Sequence, residues 1–403
     1  MLYQAYQTQT DLLAPLRSLA EFMGTAFAYP HLQQNAGMRK LLAACDVFSQ
    51  AKLTHSRPEF NLSTVDTEGR IQHVVEENTC VLPFGTLLHF RKPGAPEQPK
   101  VLIVAPMSGH FATLLRDTAR TMLADHDVYI TDWHNARDVP LSAGRFGMDE
   151  YVDHLIAFLG AMGPNAHVVA ICQPCVAALA AVAIMAEDNH IAQPRSLTLM
   201  AGPVDCRINP TGVNKLATSK PMSWFENNLI ATVPWRYPGG MRRVYPGFLQ
   251  LTAFLSMNAD RHVQSFVGMY NDLVKGDDAK AQATRAFYAE YFAVLDLTAE
   301  FYLETIQHIF QDYDLPRGKL MWHGRIINPA AIRRTSLLTV EGERDDICAI
   351  GQTMAAQELC SGIRPYMKSH HIQTGVGHYG VFSGRRWNQQ IYPIVRENIH
   401  MSQ

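Results

Sequence analysis

The chain has 403 residues, of which 47% are hydrophobic and 18% charged, with a formal net charge of −2. That suits one large α/β core carrying an insertion, or two domains. The near-neutral balance excludes the basic face of a nucleic-acid-binding protein, and no apolar run reaches the roughly 18 residues that would span a bilayer.

Seven cysteines are scattered along the chain: Cys45, Cys80, Cys172, Cys175, Cys206, Cys348 and Cys360. The odd number and irregular spacing do not suggest a disulfide framework. Met1-Leu-Tyr-Gln-Ala-Tyr-Gln has neither the basic nor the apolar region of a secretory signal. Both features lead us to expect a cytoplasmic protein with reduced thiols. Cys172-x-x-Cys175 matches half a zinc site in form, but no second C-x-x-C or H-x-x-x-H accompanies it. It also lies too deep in the chain, after several strands, for a thioredoxin-type pair. Gly375-x-Gly377 is in the wrong context for a dinucleotide loop. No metal or cofactor is expected.

Residues 1–60 read as a helical arm. Leu12, Leu13, Leu16, Leu19, Ala20, Phe22 and Met23 fall at amphipathic helical spacing, Pro30 marks a break, and Leu41–Phe48 suggests a second helix. Such an arm packs on the domain; the sharper alternative is a docking arm for a partner or a hydrophobic surface. From Arg70 the period changes. Ile71–Leu82 and Thr86–Arg91 read as a hairpin-like strand pair, and Val101–Ala105 as a buried parallel strand ending in Pro106-Met-Ser-Gly-His110. Helical character follows over Phe111–Leu123, then a strand at Asp127–Trp133, a helix at Met148–Met162 and a strand at Ala166–Ile171. Val176–Ala186 is an alanine-rich helix and Ser196–Ala201 another strand. Strands alternating with helices imply parallel βαβ units.

Residues 203–334 interrupt this rhythm. They show no clear parallel strand, are helical in pattern and are rich in aromatics such as Trp224, Phe225, Trp235, Tyr245, Phe301 and Tyr302. Such rings are more often core than substrate wall, but an insertion over an active site has an inner face that some of them line. The alternation resumes with a strand at Thr335–Glu341, a helix at Gly351–Leu359, a strand at Arg364–His370, a Gly-rich loop at Gly375–Gly384 and a helix at Trp387–Ile399. The expected architecture is α/β, an α/β-hydrolase fold. Residues 61–202 and 335–403 form its mostly parallel sheet with helices on both faces, and 203–334 a helical cap.

Within it, Ala166-His-Val-Val-Ala-Ile-Cys-Gln-Pro-Cys175 reads as a strand, a sharp turn and the start of a helix, with Cys172 at the turn. This is the layout of a nucleophile elbow. The common form is G-x-S-x-G; here Ala170 and Pro174 take the glycine places and a cysteine the nucleophile's. In this fold the partners follow as acid and then histidine, each in a loop after a late strand. Asp345, three residues after Gly342, fits the acid and His378, in Gly377-His-Tyr-Gly380, fits the base. Asp346 competes as the acid, and His370, His371 and His110 as the base. An oxyanion needs backbone donors: one is the N–H of Gln173, and the other belongs to Met107 or Ser108, because Pro106 has none.

Several stretches together resemble the intracellular polyhydroxybutyrate depolymerases. They are Ala105-Pro-Met-Ser-Gly-His-Phe-Ala-Thr-Leu-Leu-Arg-Asp117, Cys172-Gln-Pro, Trp224-Phe-Glu-Asn-Asn228, Arg243-Val-Tyr-Pro-Gly-Phe-Leu-Gln250, Val340-Glu-Gly-Glu-Arg-Asp-Asp-Ile347 and Gly377-His-Tyr-Gly-Val-Phe-Ser-Gly-Arg-Arg-Trp387. The similarity extends to the N-terminal Met-Leu-Tyr-Gln. It implies a cytoplasmic hydrolase, associated with storage granules, that cleaves poly(3-hydroxybutyrate) esters with a Cys–Asp–His triad at Cys172, Asp345 and His378. The implied partner is the granule surface; a homo-oligomer is left open. Two other enzyme readings stand beside it, a polyhydroxyalkanoate synthase-like acyltransferase and a hydrolase of small esters or thioesters. The non-enzymatic alternative is a granule-coating structural protein.

Overall fold

The computed structural model describes residues 2–27, 35–67, 69–257 and 259–403. The break expected at Pro30 lies outside the described residues. Eight strands form the central sheet: β1 (Val75–Leu82), β2 (Gly85–Arg91), β3 (Lys100–Val104), β4 (Asp127–Trp133), β5 (His167–Ile171), β6 (Ser196–Met200), β7 (Ser336–Gly342) and β8 (Lys368–Gln373). Their order across the sheet is β1-β2-β4-β3-β5-β6-β7-β8. β2 runs antiparallel to both neighbours, and every other pairing is parallel.

The inner strands are apolar and β-branched because both their faces are covered. In β3, Leu102 and Val104 pack on one side with α4 (Met148–Met162) and α5 (Cys175–Glu187). Val101 and Ile103 pack on the other with α3 (Arg116–Leu123) and the C-terminal helix Tyr392–His400. Every residue of α5 from Cys175 to Met185 is buried. A helix enclosed all round needs small side chains to approach the sheet closely, which accounts for its alanines.

Between β6 and β7 the chain leaves the sheet through α6 (Gly212–Thr218), α7 (Met222–Leu229), α8 (Gly247–Met257), α9 (Ala259–Lys275), α10 (Asp278–Tyr291) and α11 (Ala299–Glu304). A π-helical stretch, Thr305–Gln311, continues α11. The strands in this region are short and antiparallel: Ala231–Thr232, Arg243–Tyr245 and Leu297–Thr298 form one small sheet, and Met321–Trp322 pairs with Arg325–Ile326.

Some expected boundaries shift for visible reasons. The run Ile71–Leu82 divides at Val74: Arg70–His73 pairs back on Thr64–Thr67, and only Val75–Leu82 joins β2. Ala112–Leu115 is a 3₁₀ turn before α3. The helix expected from Gly351 is confined to Ala356–Leu359, because the buried Glu341 carboxylate takes the Gly351, Thr353 and Met354 N–H groups. The last strand begins at Lys368, after a 3₁₀ turn at Pro365–Met367.

The N-terminal residues form α1 (Leu2–Ala26) and α2 (Ala36–Gln50). Asp296 ties α1 to two other parts of the chain. Its Oδ2 accepts from the Tyr3 hydroxyl at 2.6 Å and its Oδ1 from the Gly247 N–H at 2.9 Å, while its own N–H donates to Asn135 Oδ1 at 3.0 Å. Tyr3 and Asp296 are both buried, so Tyr3→Phe leaves a carboxylate oxygen short of a donor. We expect it to destabilise the protein by about 1–3 kcal/mol in urea unfolding; an unchanged midpoint would show that the arm contributes nothing through this bond.

Candidate active site

The loops after β3, β5, β7 and β8 meet at one edge of the sheet. Cys172, directly after β5, has φ +67°, a left-handed conformation costing an L-residue roughly 1–2 kcal/mol. The turn is held from both sides. The Cys172 N–H donates to Met200 O at 2.8 Å, and its carbonyl accepts from the Cys175 N–H at 3.2 Å. A Cβ on Gly202 would overlap Cys175 Sγ and the Cys172 carbonyl, so glycine is required there. Pro174 sits at the helix N-terminus, where a missing N–H costs nothing.

Asp345 lies in the loop after β7. Its Oδ1 accepts from the Ile347 and Cys348 N–H groups at 2.9 and 2.8 Å, which aims Oδ2 at His378 Nδ1, 2.7 Å away. Asp346 is exposed. With Nδ1 committed to Asp345, the other edge of the imidazole is left for Cys172, which lies close enough to act on the ring electrostatically. Burial by itself lowers the basicity of His378. The neighbouring Cys172, acting through its charge, and the bond to Asp345 outweigh it and lift the ring to about 10.

The competing histidines have other partners. His370 bonds Thr339 on β7, His371 bonds Gln373, and the Nε2 of His110 meets Tyr291 O at 3.1 Å. Cys175, one helical turn beyond Cys172, is buried beneath the sheet edge with its thiol on the Ala170 carbonyl, and burial pushes that thiol well up.

Cys172 and His378 open into a cavity of about 520 Å³. Pro106, Met107 and Ser108 line it from the β3 loop, and Trp224, Phe225, Leu249, Tyr302 and Phe310 from the β6–β7 insertion. The exposed Trp235 is not in its wall. A second cavity, of about 470 Å³ beside Asp205, Lys368 and His370, contains none of Cys172, Asp345 and His378. Among the described residues, no group of three or more His, Cys, Asp or Glu is placed to hold a metal ion.

The three candidate oxyanion donors differ in state. The Met107 N–H donates to the side-chain Oε1 of Gln173 at 3.2 Å. The N–H groups of Gln173 and Ser108 have no acceptor among the described residues. The side chain of Gln173 was not anticipated: the elbow motif points only to its backbone N–H, and nothing local in the sequence shows that the carboxamide reaches the β3 loop.

The strand order, the antiparallel β2, the left-handed residue after β5 and the two later loops define an α/β-hydrolase. Residues 201–403, just over half the chain, match the family described as PHB de-polymerase C-terminus. The chain belongs to this PHB depolymerase family and is a hydrolase. No curated protein matches it. Among solved structures it is similar to the 2-hydroxy-6-oxo-6-phenylhexa-2,4-dienoate hydrolase of Rhodococcus sp. strain RHA1, at 11% identity over 82% of this chain and 99% of that one, with a TM-score of 0.43. It is also similar to a meta-cleavage product hydrolase of Pseudomonas fluorescens IP01, at 14% identity over 84% and 98% of the two chains, TM-score 0.41. A thermophilic esterase of Thermogutta terrifontis matches at 13% identity over 83% and 97%, TM-score 0.40.

The raised basicity of His378 has a sign that can be tested. An imidazole lifted from 6.5 to about 10 contributes stability that is fully present below about 6.5 and is lost as the pH rises through about 10. Thermal melts of wild type and Cys172→Ala across that window should diverge, with the wild type losing more Tm. Parallel curves would show that Cys172 does not hold the proton on His378.

Proposed function

We propose that the protein hydrolyses the ester bonds of poly(3-hydroxybutyrate) through Cys172, His378 and Asp345, releasing 3-hydroxybutyrate and its oligomers. The observation that carries this reading is a cysteine on a left-handed turn, beside a histidine that is bonded to a buried carboxylate, with cysteine and histidine both lining an apolar cavity. Residues 203–334 act as a cap whose inner aromatics meet the methyl-bearing polymer, which carries no charge and needs no basic cleft.

The Cys172 thiolate attacks the ester carbonyl while His378 holds its proton. Negative charge develops on the carbonyl oxygen and is received by the Gln173 N–H and by the loop after β3. As the C–O bond breaks, His378 gives its proton to the departing alkoxide, which leaves as the hydroxyl end of the shortened polymer. A thioester on Cys172 remains. Water, deprotonated by His378, attacks it and releases the carboxylic acid and the thiol. Asp345 keeps Nδ1 protonated throughout, so that Nε2 faces the reaction.

A solid substrate has to be approached by the enzyme, and α1 offers a surface for this. Leu12, Leu16, Leu19 and Phe22 are 71%, 54%, 55% and 63% exposed. Between Leu12 and Ala26 the only charged residues are Arg17, which turns to Ala51 O, and Glu21, which lies 3.9 Å from Lys52 Nζ. Val263 and Val267 on α9 and Phe287 on α10 are also exposed, and α2 packs against both α1 and α9. Exposed apolar area of this kind marks an interaction surface, and the granule surface is the partner we assign to it.

Two experiments test the proposal. Cys172→Ala should lower release of 3-hydroxybutyrate from amorphous polymer by at least about a thousandfold, while Cys175→Ala leaves it close to wild type. Soluble acid still released by Cys172→Ala would remove the mechanism, and release of coenzyme A from an acyl thioester without polymer breakdown would favour the acyltransferase. In a sedimentation assay, Leu16→Asp/Phe22→Asp should bind amorphous granules at least about fivefold more weakly while hydrolysing a soluble ester normally. Equal binding would move the docking surface elsewhere.

A further inference from the structure

One of the three candidate oxyanion donors is already engaged in the resting protein. Met107 lies in the loop after β3, and its N–H is given to Gln173 Oε1, an oxygen carried by the residue next to the nucleophile. That bond fixes the carboxamide's orientation, since the reverse would set an NH₂ group against an N–H. The Nε2 is therefore directed elsewhere. It is enclosed and has no acceptor among the described residues. Gln173 as a whole is only 9% exposed. A buried amide donor without an acceptor is unfavourable, and native proteins keep few of them. The conformation satisfies one donor, the Met107 N–H, and leaves another, Nε2, unpaired.

We propose that Gln173 is a specificity-determining residue: its carboxamide plugs the Met107 N–H until a substrate both displaces Oε1 and offers Nε2 an acceptor. This rests on the polyester-hydrolase reading above. An uncharged polyester brings acceptors in sequence, one carbonyl for each repeat unit. The scissile carbonyl takes over the Met107 N–H, and the freed Nε2 donates to the carbonyl of the adjacent repeat. A single ester brings only the first of these oxygens and leaves Nε2 unpaired in an apolar cavity. Sites that depend on a buried hydrogen bond discriminate strongly against ligands that lack the partner. Gln173 thus favours chains over isolated esters.

The test uses the full-length enzyme with a linear 3-hydroxybutyrate trimer and a simple butyrate monoester. Gln173→Met has no acceptor to plug Met107 and no donor for a second carbonyl. We expect the ratio of kcat/KM for trimer over monoester to fall about tenfold, with the trimer's KM rising and the monoester gaining relative to wild type. Gln173→Glu places a charged acceptor on the Met107 N–H and strengthens the plug. Its monoester activity should be low at neutral pH and recover in acid, as the carboxylate is protonated, further than that of wild type. Stoichiometric alkylation of Cys172 and an unchanged melting transition establish that each variant is folded with its site open. A proportional loss on both substrates in Gln173→Met, with the ratio unmoved, would show that the side chain only braces the β3 loop and would overturn the proposal. A wild-type enzyme that cleaves the monoester but not the trimer would remove the polyester reading itself, and this proposal with it.

Discussion

The site depends on one backbone torsion. A parallel strand leads into the sheet edge at Ile171, a helix leads away from Cys175, and the turn between them is too short to form unless Cys172 adopts a left-handed conformation. Several features of the neighbourhood follow from that constraint. Gly202 has lost its side chain because the turn lies against it. The helix begins with Pro174, which needs no N–H at that place, and continues in alanines because it must lie close beneath the strands. The strain also lifts Cys172 clear of the sheet, so that a histidine from one loop and a carboxylate from another can be arranged around it without disturbing the core.

Electrostatics then follows from burial. His378 and Asp345 lie under apolar walls, where a lone charge would be driven to neutrality. They remain usable because each is satisfied locally: two backbone N–H groups hold one oxygen of Asp345, and the other oxygen takes the imidazole. The arrangement is self-contained and draws nothing from the protein's surface. The low overall charge agrees with the proposed uncharged substrate, which would gain nothing from long-range steering.

Much of this was legible in the sequence because the signals are local and periodic. β4 and α4 have the limits that the pattern of Asp127–Trp133 and Met148–Met162 suggests, and the strand at Val168–Ile171 is a short β-branched run between breakers. Cys172, Asp345 and His378 could be proposed together because the fold imposes their order along the chain, and the loops do bring them into contact. Signals that depend on tertiary partners were not legible. The helix expected from Gly351 is shortened by Glu341, a residue on a strand whose carboxylate captures N–H groups ten and more residues later. The start of β8 moves because Pro365 favours a 3₁₀ turn over a strand. Which aromatics of the insertion face the cavity also could not be read. Trp224 and Tyr302 line it while Trp235 is exposed, and all occur in similarly mixed sequence.

The molecule divides chemistry from recognition. The residues proposed as nucleophile, base, acid and backbone donors all come from loops at one sheet edge, where the register of parallel strands fixes their spacing. Most of the apolar wall comes from α7, α8 and the α11 region, which lie outside the sheet in the β6–β7 insertion. Gln173 lies between the two systems. Its backbone belongs to the elbow and cannot move without altering Cys172, whereas its side chain has three rotatable bonds and one unsatisfied donor. A residue in that position can report the contents of the cavity to the reacting centre without any shift of the fold. Under the proposed polyester reading, selection for chain substrates can therefore act on a side-chain rotation at the elbow as well as on the shape of the insertion.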